Sequence, residues 1–142
     1  MLLNVKNQIV ADKALQLAMT FDLWTDGYRG LNYITFTLHY LSSDFELKTF
    51  TLKTELMEGI KSGEKIKEAI DETKKEFALC DKKLFLVTDA GSNVKRAVRL
   101  ANTESHLCLG HGLHNLVTVD GIKKVPEIDA LVTKCKKIVK AI

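Results

Sequence analysis

Several residue types that define specialised chains are scarce in this sequence. One proline and eight glycines among 142 residues argue against collagen-like and low-complexity chains, and a hydrophobic content of 46% argues against extensive disorder. No apolar run approaches the roughly 18 residues that a membrane-spanning helix needs, and the first residues do not resemble a secretory leader. We therefore expect one soluble, intracellular domain without a membrane segment.

Cysteine is also scarce, and charge is nearly balanced. Cys80, Cys108 and Cys135 are widely spaced and form no Cys-x-x-Cys pair, so the pattern indicates neither a disulfide framework nor a four-cysteine zinc site. The 21 Lys and Arg against 18 Asp and Glu leave a net charge of +3. This excess permits a nucleic-acid partner without indicating one, because duplex-binding domains usually concentrate more positive charge.

Hydrophobic periodicity predicts an α/β fold with strands first and helices later. The predicted elements are a helix over residues 5–17, strands over 19–24, 31–41 and 46–52, a helix over 66–77, a strand over 84–87, a helix over 94–101, a strand over 106–109, a helix over 113–119 and a helix over 128–142. The uninterrupted apolar run 84–87 suits a strand covered on both faces, so the helix before it is a crossover. The expected architecture is a mixed sheet in β-β-β-α-β-α-β-α order, flanked by helices.

A domain boundary is expected at Pro126. We assign residues 1–125 to one core and residues 126–142 to a C-terminal helix that leads into a further region. The apolar residues of this helix are Ile128, Leu131, Val132, Cys135, Ile138, Val139 and Ile142. Their helical spacing predicts a surface for a protein partner or for a following segment of the chain.

Two aspartates occupy positions where a mixed sheet offers a site. Asp22 lies inside the first strand, and Asp89 follows the strand that ends at Thr88. Such strands are commonly neighbours, and ligands of open α/β sheets bind where the strands end. Burying an ionised Asp22 is costly unless a partner or a cation compensates its charge. Two carboxylates so placed can share a Mg²⁺ ion, which prefers oxygen ligands.

Simpler roles are open for the same residues. Asp22 can point outward on a half-solvated strand, and Asp89 can cap the helix that starts near Gly91. Asp26, four residues after Asp22, is either a substitute for it at the same sheet edge or a turn residue. For Trp24, the default expectation is packing in the core.

A second group of candidate residues runs from Cys108 to His114. Cys108 and His111 form a Cys-x-x-His unit, which supplies two of the four ligands of a structural zinc site, and no second pair is visible. The other ligands would come from His106, His114 or a distant cysteine. We favour a buried Cys108 beside a His111 that donates a hydrogen bond to a phosphate or a carboxylate.

Basic residues follow Asp89 on the next predicted helix. Lys95, Arg96 and Arg99 lie on its outer face, where they are candidates for contact with a phosphate backbone. The simpler alternative is a solvated helix face.

Three motifs, in this order, resemble the hAT-superfamily transposases. They are Phe21-Asp22-Leu23-Trp24-Thr25-Asp26, Val87-Thr88-Asp89-Ala90-Gly91-Ser92-Asn93 and Cys108-Leu109-Gly110-His111-Gly112-Leu113-His114-Asn115-Leu116. Their order, strand context and spacing agree with the ribonuclease H-like catalytic core of that family. The resemblance covers about residues 18–120, and residues 118–142 resemble the following part of relatives with BED-type zinc fingers.

The resemblance implies a nuclear DNA cut-and-paste transposase core or a domesticated descendant. It implies that Asp22 and Asp89 are catalytic carboxylates that bind Mg²⁺ or Mn²⁺, which activates water or a 3′-hydroxyl for attack on a DNA phosphate. The DNA-binding residues would be His111, Asn93, Lys95 and Arg96.

The third acid of this metal triad, a glutamate, is expected after a long helical insertion, beyond residue 142. Glu127 and Asp129 come early for this role and are candidates only if the fold brings them to the other two acids. We therefore expect a core that holds one metal ion weakly and is not a competent nuclease alone. The alternative is a non-catalytic, nuclear DNA-associated or protein-interaction module that keeps the ribonuclease H-like fold.

Overall fold

The computed structural model describes residues 2–12, 14 and 16–141 of the chain. They form two compact units, which divide between Leu107 and Cys108. The first unit contains the sheet and both candidate aspartates, and the second is helical. The domain boundary expected at Pro126 stays a prediction, because compactness alone does not define a domain.

In the first unit, the strands and helices follow one another in the predicted order. Its elements are α1 (Leu2–Ala11), β1 (Gln16–Thr25), β2 (Asn32–Leu41), β3 (Leu47–Leu56), α2 (Gly63–Glu76), β4 (Lys83–Thr88), α3 (Ser92–Ala101) and β5 (Ser105–Leu107). No helix in the described part of the chain is long and apolar enough to cross a membrane.

The five strands form one mixed sheet in the order β3-β2-β1-β4-β5. Short turns join β1, β2 and β3, which pair antiparallel. β1 pairs parallel with β4, and β4 pairs parallel with β5. Parallel neighbours need a crossover, which α2 and α3 provide. The predicted α/β fold, a ribonuclease H-like mixed sheet flanked by helices, is therefore confirmed.

One face of the sheet is covered by helices. Along β1, Leu17, Met19 and Phe21 are buried and alternate with more exposed residues. The buried hydrophobic residues of the two covering helices are Ile66, Ala69 and Ile70 on α2 and Val94, Ala97 and Val98 on α3. All of these residues belong to one hydrophobic cluster. The other face of β1, which carries Asp22, lies outside this cluster.

The first predicted helix is wrong at its C-terminal end. Residues 5–17 were expected to be helical, but α1 ends at Ala11 and β1 begins at Gln16. Leu17 pairs with Leu84 of β4, and its burial continues the two-residue alternation of β1. Strand pairing therefore overrides the local helical spacing. Lys13 and Leu15, inside the predicted range, lie outside the described residues.

Other predicted ends differ by a few residues. β1 extends to Thr25 and β3 extends to Leu56, because both continue to pair with β2. The fifth strand was expected over residues 106–109, but it occupies Ser105–Leu107, and a helix follows Cys108. The ladder between β4 and β5 ends at the Thr88–Leu107 pair, which fixes this boundary.

The second unit is a succession of helical segments. They are α4 (Leu109–Asn115), a π-helical segment (Leu116–Gly121), a 3₁₀ turn (Ile122–Lys124) and α5 (Pro126–Ala141). The helix predicted over residues 113–119 begins earlier, at Leu109. Gly110 and Gly112 lie inside α4, and as poor helix formers they hid its start in the sequence. None of this unit's described residues is buried. Ile142, the last residue of the predicted C-terminal helix, lies outside the described part of the chain.

Candidate metal and nucleic-acid site

Asp22 lies on the uncovered face of β1. Its Cα partner on β2 is Thr35, and its side chain is exposed, although Phe21 beside it is buried. The structure therefore shows the outward-facing alternative, and the cost of burying an ionised carboxylate does not arise. A hydrated ion needs access to solvent, and the position of Asp22 provides that access. Metal binding by Asp22 stays a prediction.

Asp89 follows β4 directly and is half-buried. Its Oδ1 accepts a hydrogen bond from the backbone N–H of Gly91 at 2.9 Å. This bond shapes the turn that leads into α3, whose N-cap is Gly91 without a side-chain cap. Asp89 thus supports the start of the helix through one oxygen. Its Oδ2 makes no hydrogen bond within the described part of the chain, and it is therefore available to a ligand.

The register of β1 and β4 bears on the predicted juxtaposition of the two aspartates. The last pair of the parallel ladder is Thr20 of β1 with Val87 of β4, two residues before Asp22 and Asp89. Asp22 follows the buried Phe21, and Asp89 follows the buried Thr88, the last residue of β4. The juxtaposition of the two carboxylates stays a prediction.

The donor set of this pair fits a hydrated magnesium or manganese ion. Two carboxylates supply the oxygen ligands that these ions prefer, and waters complete the coordination. Across the described ranges, no group of three or more His, Cys, Asp or Glu side chains is placed to hold a metal. Metal binding by Asp22 and Asp89 stays a prediction. Roles for Glu127 and Asp129 as the third acid stay predictions.

Asp26 and Trp24 have clear local roles. Asp26 Oδ1 accepts hydrogen bonds from the N–H groups of Tyr28 and Arg29, so Asp26 is a turn residue between β1 and β2. The expected core position of Trp24 is wrong. Its ring is exposed on the same face as Asp22, stacks on Tyr33 with centroids 4.6 Å apart, and donates from Nε1 to Thr35.

The predicted DNA-binding residues on α3 differ in their existing contacts. Asn93 donates from Nδ2 to the backbone oxygen of Lys61 at 3.0 Å, so its amide already holds a loop. Arg96 forms an ion pair with Glu64 of α2 and is partly neutralised. Lys95 is exposed and makes no ion pair with any described residue. DNA contact by these three residues and by His111 stays a prediction.

Lys61 makes contacts that the sequence analysis missed. It lies in the loop between β3 and α2 and donates from Nζ to Thr25 Oγ1 at 3.2 Å, at the end of β1. Thr25 in turn donates to the side chain of Asn32 at 2.8 Å. A lysine beside Gly59 and Ser62 reads as an ordinary loop residue in the sequence. Only the fold brings it to the last residue of β1.

The Cys-x-x-His unit lies at the start of α4. Hydrogen bonds from the backbone N–H and the side chain of His111 lower the pKa of the Cys108 thiol, and the Gly110 N–H adds to this effect. The expectation of a buried Cys108 is wrong, because the side chain is half-buried. The absence of a metal-holding group of three among the described side chains gives the zinc alternative no support.

Cys108 is expected to react faster with iodoacetamide near neutral pH than Cys80 or Cys135. The lowered pKa increases its thiolate fraction, and the thiolate is the nucleophile. Mass spectrometry of the alkylated peptides over time measures the three rates. His111→Asn should slow Cys108 and leave the other two unchanged. Equal rates for Cys108 and the more exposed Cys80 would contradict the thiolate assignment.

Comparison of the chain with protein-family models gives a match. The family model described as the ZBED1 RNase-like domain matches residues 20–115, which is more than half of the chain and includes both aspartates, Lys61 and His111. No curated protein matches the chain. The matched range begins within β1 and ends with α4, so it contains the whole five-stranded sheet apart from the first residues of β1. The chain therefore belongs to the ZBED1 RNase-like domain family.

Proposed function

We propose that this domain is a domesticated hAT-type transposase core that binds DNA in the nucleus and holds one divalent ion at Asp22 and Asp89. The observation that supports the proposal is the parallel pairing of β1 with β4, whose last pair, Thr20 with Val87, comes two residues before Asp22 and Asp89 on each strand. Both lie inside the range that matches the family. An exposed and a half-buried carboxylate, open to solvent, suit an ion that also contacts a phosphate.

The same geometry argues against cleavage by this chain alone. A divalent ion at such a site would neutralise charge on a phosphate and activate the attacking oxygen. Two carboxylates hold a hydrated ion loosely, since affinity rises with the number of charged ligands. We therefore propose that the domain binds DNA phosphates without cutting the strand. DNA strand transfer belongs to a full transposase with its third acid.

Mn²⁺ binding tests the carboxylate pair directly. We expect Asp22→Asn and Asp89→Asn each to weaken Mn²⁺ affinity about tenfold, because each removes one charged ligand. The measurement is a Mn²⁺ titration of the whole chain, followed by electron paramagnetic resonance of the free ion. Asp44→Asn, in the exposed β2–β3 turn, is the control and should leave the affinity unchanged.

Incubation of the chain with supercoiled plasmid and Mn²⁺ completes this test. We expect no nicking. Nicking that both asparagine variants abolish would show a working nuclease and require a third acid. An unaltered chain that binds no Mn²⁺, or variants that bind it equally well, would refute the metal site.

A protein-interaction module is the second candidate, and α5 is the observation that favours it. Its apolar residues at helical spacing include Ile128, Leu131 and Ile138, which are 46%, 61% and 63% exposed. Apolar residues so exposed on one helix are typical of a surface that a partner covers. A chain that folds but binds neither Mn²⁺ nor DNA would favour this candidate.

A further inference from the structure

Trp24 and Tyr33 form a stacked aromatic pair on the uncovered face of the sheet. They are Cα partners on β1 and β2. Their ring centroids lie 4.6 Å apart, and the ring planes differ by 20°. Large aromatic side chains are usually buried for the most part, but Trp24 is 42% exposed and Tyr33 is half-buried. The pair therefore presents flat aromatic surface to the solvent.

Hydrogen bonds across three strands hold the indole ring in place. Trp24 Nε1 donates to Thr35 Oγ1 of β2 at 3.1 Å, and this hydroxyl is hydrogen-bonded to Thr54 Oγ1 of β3 at 2.9 Å. The indole has a single polar atom, so its donor is already used within the sheet. What the ring offers to a ligand is its π surface. A ring held in one orientation also loses little entropy when a ligand stacks on it.

The side of Trp24 away from Tyr33 has no neighbouring strand among the described residues. On that side β1 pairs with β4, and this ladder ends at the Thr20–Val87 pair, four residues before Trp24. The sheet therefore covers one side of the indole with Tyr33 and places no strand residue against the other. A flat group of a ligand can extend the stack on the open side.

The turn next to this pair carries a cation and another exposed ring. The ladder of β1 and β2 ends one pair after Trp24, and the turn follows. In it Tyr28 is 95% exposed, and Arg29 is exposed and forms no ion pair within the described part of the chain. The chain as a whole has a net charge of +3. Aromatic surface for bases, together with positive charge for phosphates, is typical of proteins that bind single-stranded nucleic acid.

We propose that the Trp24–Tyr33 pair is a stacking platform for an unpaired base of single-stranded DNA. This inference rests on the proposed function, which brings DNA to the face of β1 that carries Asp22, and it names the form of DNA that is bound. A base inside a duplex is already stacked on its neighbours, so only an unpaired base can lie on the indole. Every base has a π face, and the platform therefore binds without strong sequence preference.

Tryptophan fluorescence tests the stacking directly, because Trp24 is the only tryptophan of the chain. The unaltered chain is titrated with a short oligothymidylate, with the same strand paired to its complement, and with a strand of the same length that carries abasic sites. We expect the oligothymidylate to quench the emission and to bind at least about tenfold more tightly than the abasic strand, since base stacking supplies the difference. The duplex should leave the emission nearly unchanged.

Variants measured with fluorescein-labelled oligothymidylate and fluorescence anisotropy complete the test. Trp24→Leu keeps apolar volume but removes the π surface, and we expect it to weaken binding about five- to tenfold. Trp24→Phe should retain most of the affinity, because it keeps an aromatic face and loses only the Nε1 donor. Phe45→Ala is the matched control. It removes a ring that is 86% exposed in the β2–β3 turn, beyond the opposite end of β2, and it should leave the affinity unchanged.

The outcomes separate the platform from the proposed function. A chain that binds neither the duplex nor the single strand refutes both. A chain that binds the duplex, while oligothymidylate leaves the emission unchanged, refutes the platform alone. Equal quenching by the abasic strand, or equal affinity of Trp24→Leu and the unaltered chain, also refutes it, because the phosphates would then account for binding. Circular dichroism checks that the variants fold, and the fluorescence titration of the unaltered chain does not depend on them.

Discussion

Replacing Phe36 by alanine is expected to lower the free energy of unfolding by about 3–5 kcal/mol. Phe36 lies in β2, is 0% exposed, and packs against Phe21 of β1 with ring centroids 5.8 Å apart. Removing the ring loses its burial and leaves a cavity between strands that cannot fully collapse. Because small domains are stable by only about 5–15 kcal/mol, this one change removes a large share of the total.

Denaturant unfolding of the unaltered chain and of the Phe36→Ala variant measures this loss of stability. The control is Phe45→Ala in the β2–β3 turn, where the ring is 86% exposed, and its effect should stay within about 0.5 kcal/mol. If both phenylalanine variants lost the same stability, the assigned core would be wrong. The Phe36 variant should also lose Mn²⁺ affinity, since Phe21, which it supports, directly precedes Asp22 on β1.

Gly63→Ala is expected to destabilise the chain by about 1–3 kcal/mol, although alanine is the better helix former. Gly63 is the first residue of α2 and is buried. A Cβ at this position would lie 2.7 Å from Cγ of Arg96 and 2.9 Å from its Cβ and Cδ. The base of the arginine side chain cannot move away freely, because its guanidinium is held by Glu64. The added methyl group therefore forces α2 and α3 apart.

A double variant isolates this clash. Gly63→Ala combined with Arg96→Ala should recover part of the loss, because two of the three close atoms are removed. Gly27→Ala is the control, since nothing lies within 4 Å of its Cβ position. Thermal unfolding of Gly63→Ala, Arg96→Ala, the double variant, Gly27→Ala and the unaltered chain gives the comparison. If the loss of stability in the double variant equals the sum of the losses in the two single variants, the proposed clash between position 63 and Arg96 is refuted.

Local patterns were sufficient to predict most of the fold. The stripe that includes Ile66 and Ile70 predicted α2, because burial against a sheet leaves a direct signature at helical spacing. The end of α1 was not predictable in the same way. Leu17 fits a helical stripe and a strand equally well, and only its pairing with Leu84, far along the chain, selects the strand.

The candidate site was only half visible in the sequence. The aspartates could be found because a carboxylate inside an apolar strand, as at Asp22, and one directly after a buried strand, as at Asp89, are both unusual enough to be noticed. The outward direction of Asp22 and the exposure of Trp24 depend on which face of the sheet the helices cover. The contacts of Lys61 could not be found at all, because its partners Asn93 and Thr25 are 32 and 36 residues away in the chain.

The pairing of β1 with β4 sets which sequence changes the site can survive. The ladder pairs β1 with β4 up to Thr20 and Val87, two residues before each aspartate, whatever the length of chain that joins the strands. The β2–β3 hairpin and the loops around α2 can therefore lengthen or shorten during evolution without moving either carboxylate. A one-residue slip of β4 would instead turn Asp89 to the opposite face. Searches for distant family members should consequently align the strands and allow the distance between the aspartates to vary.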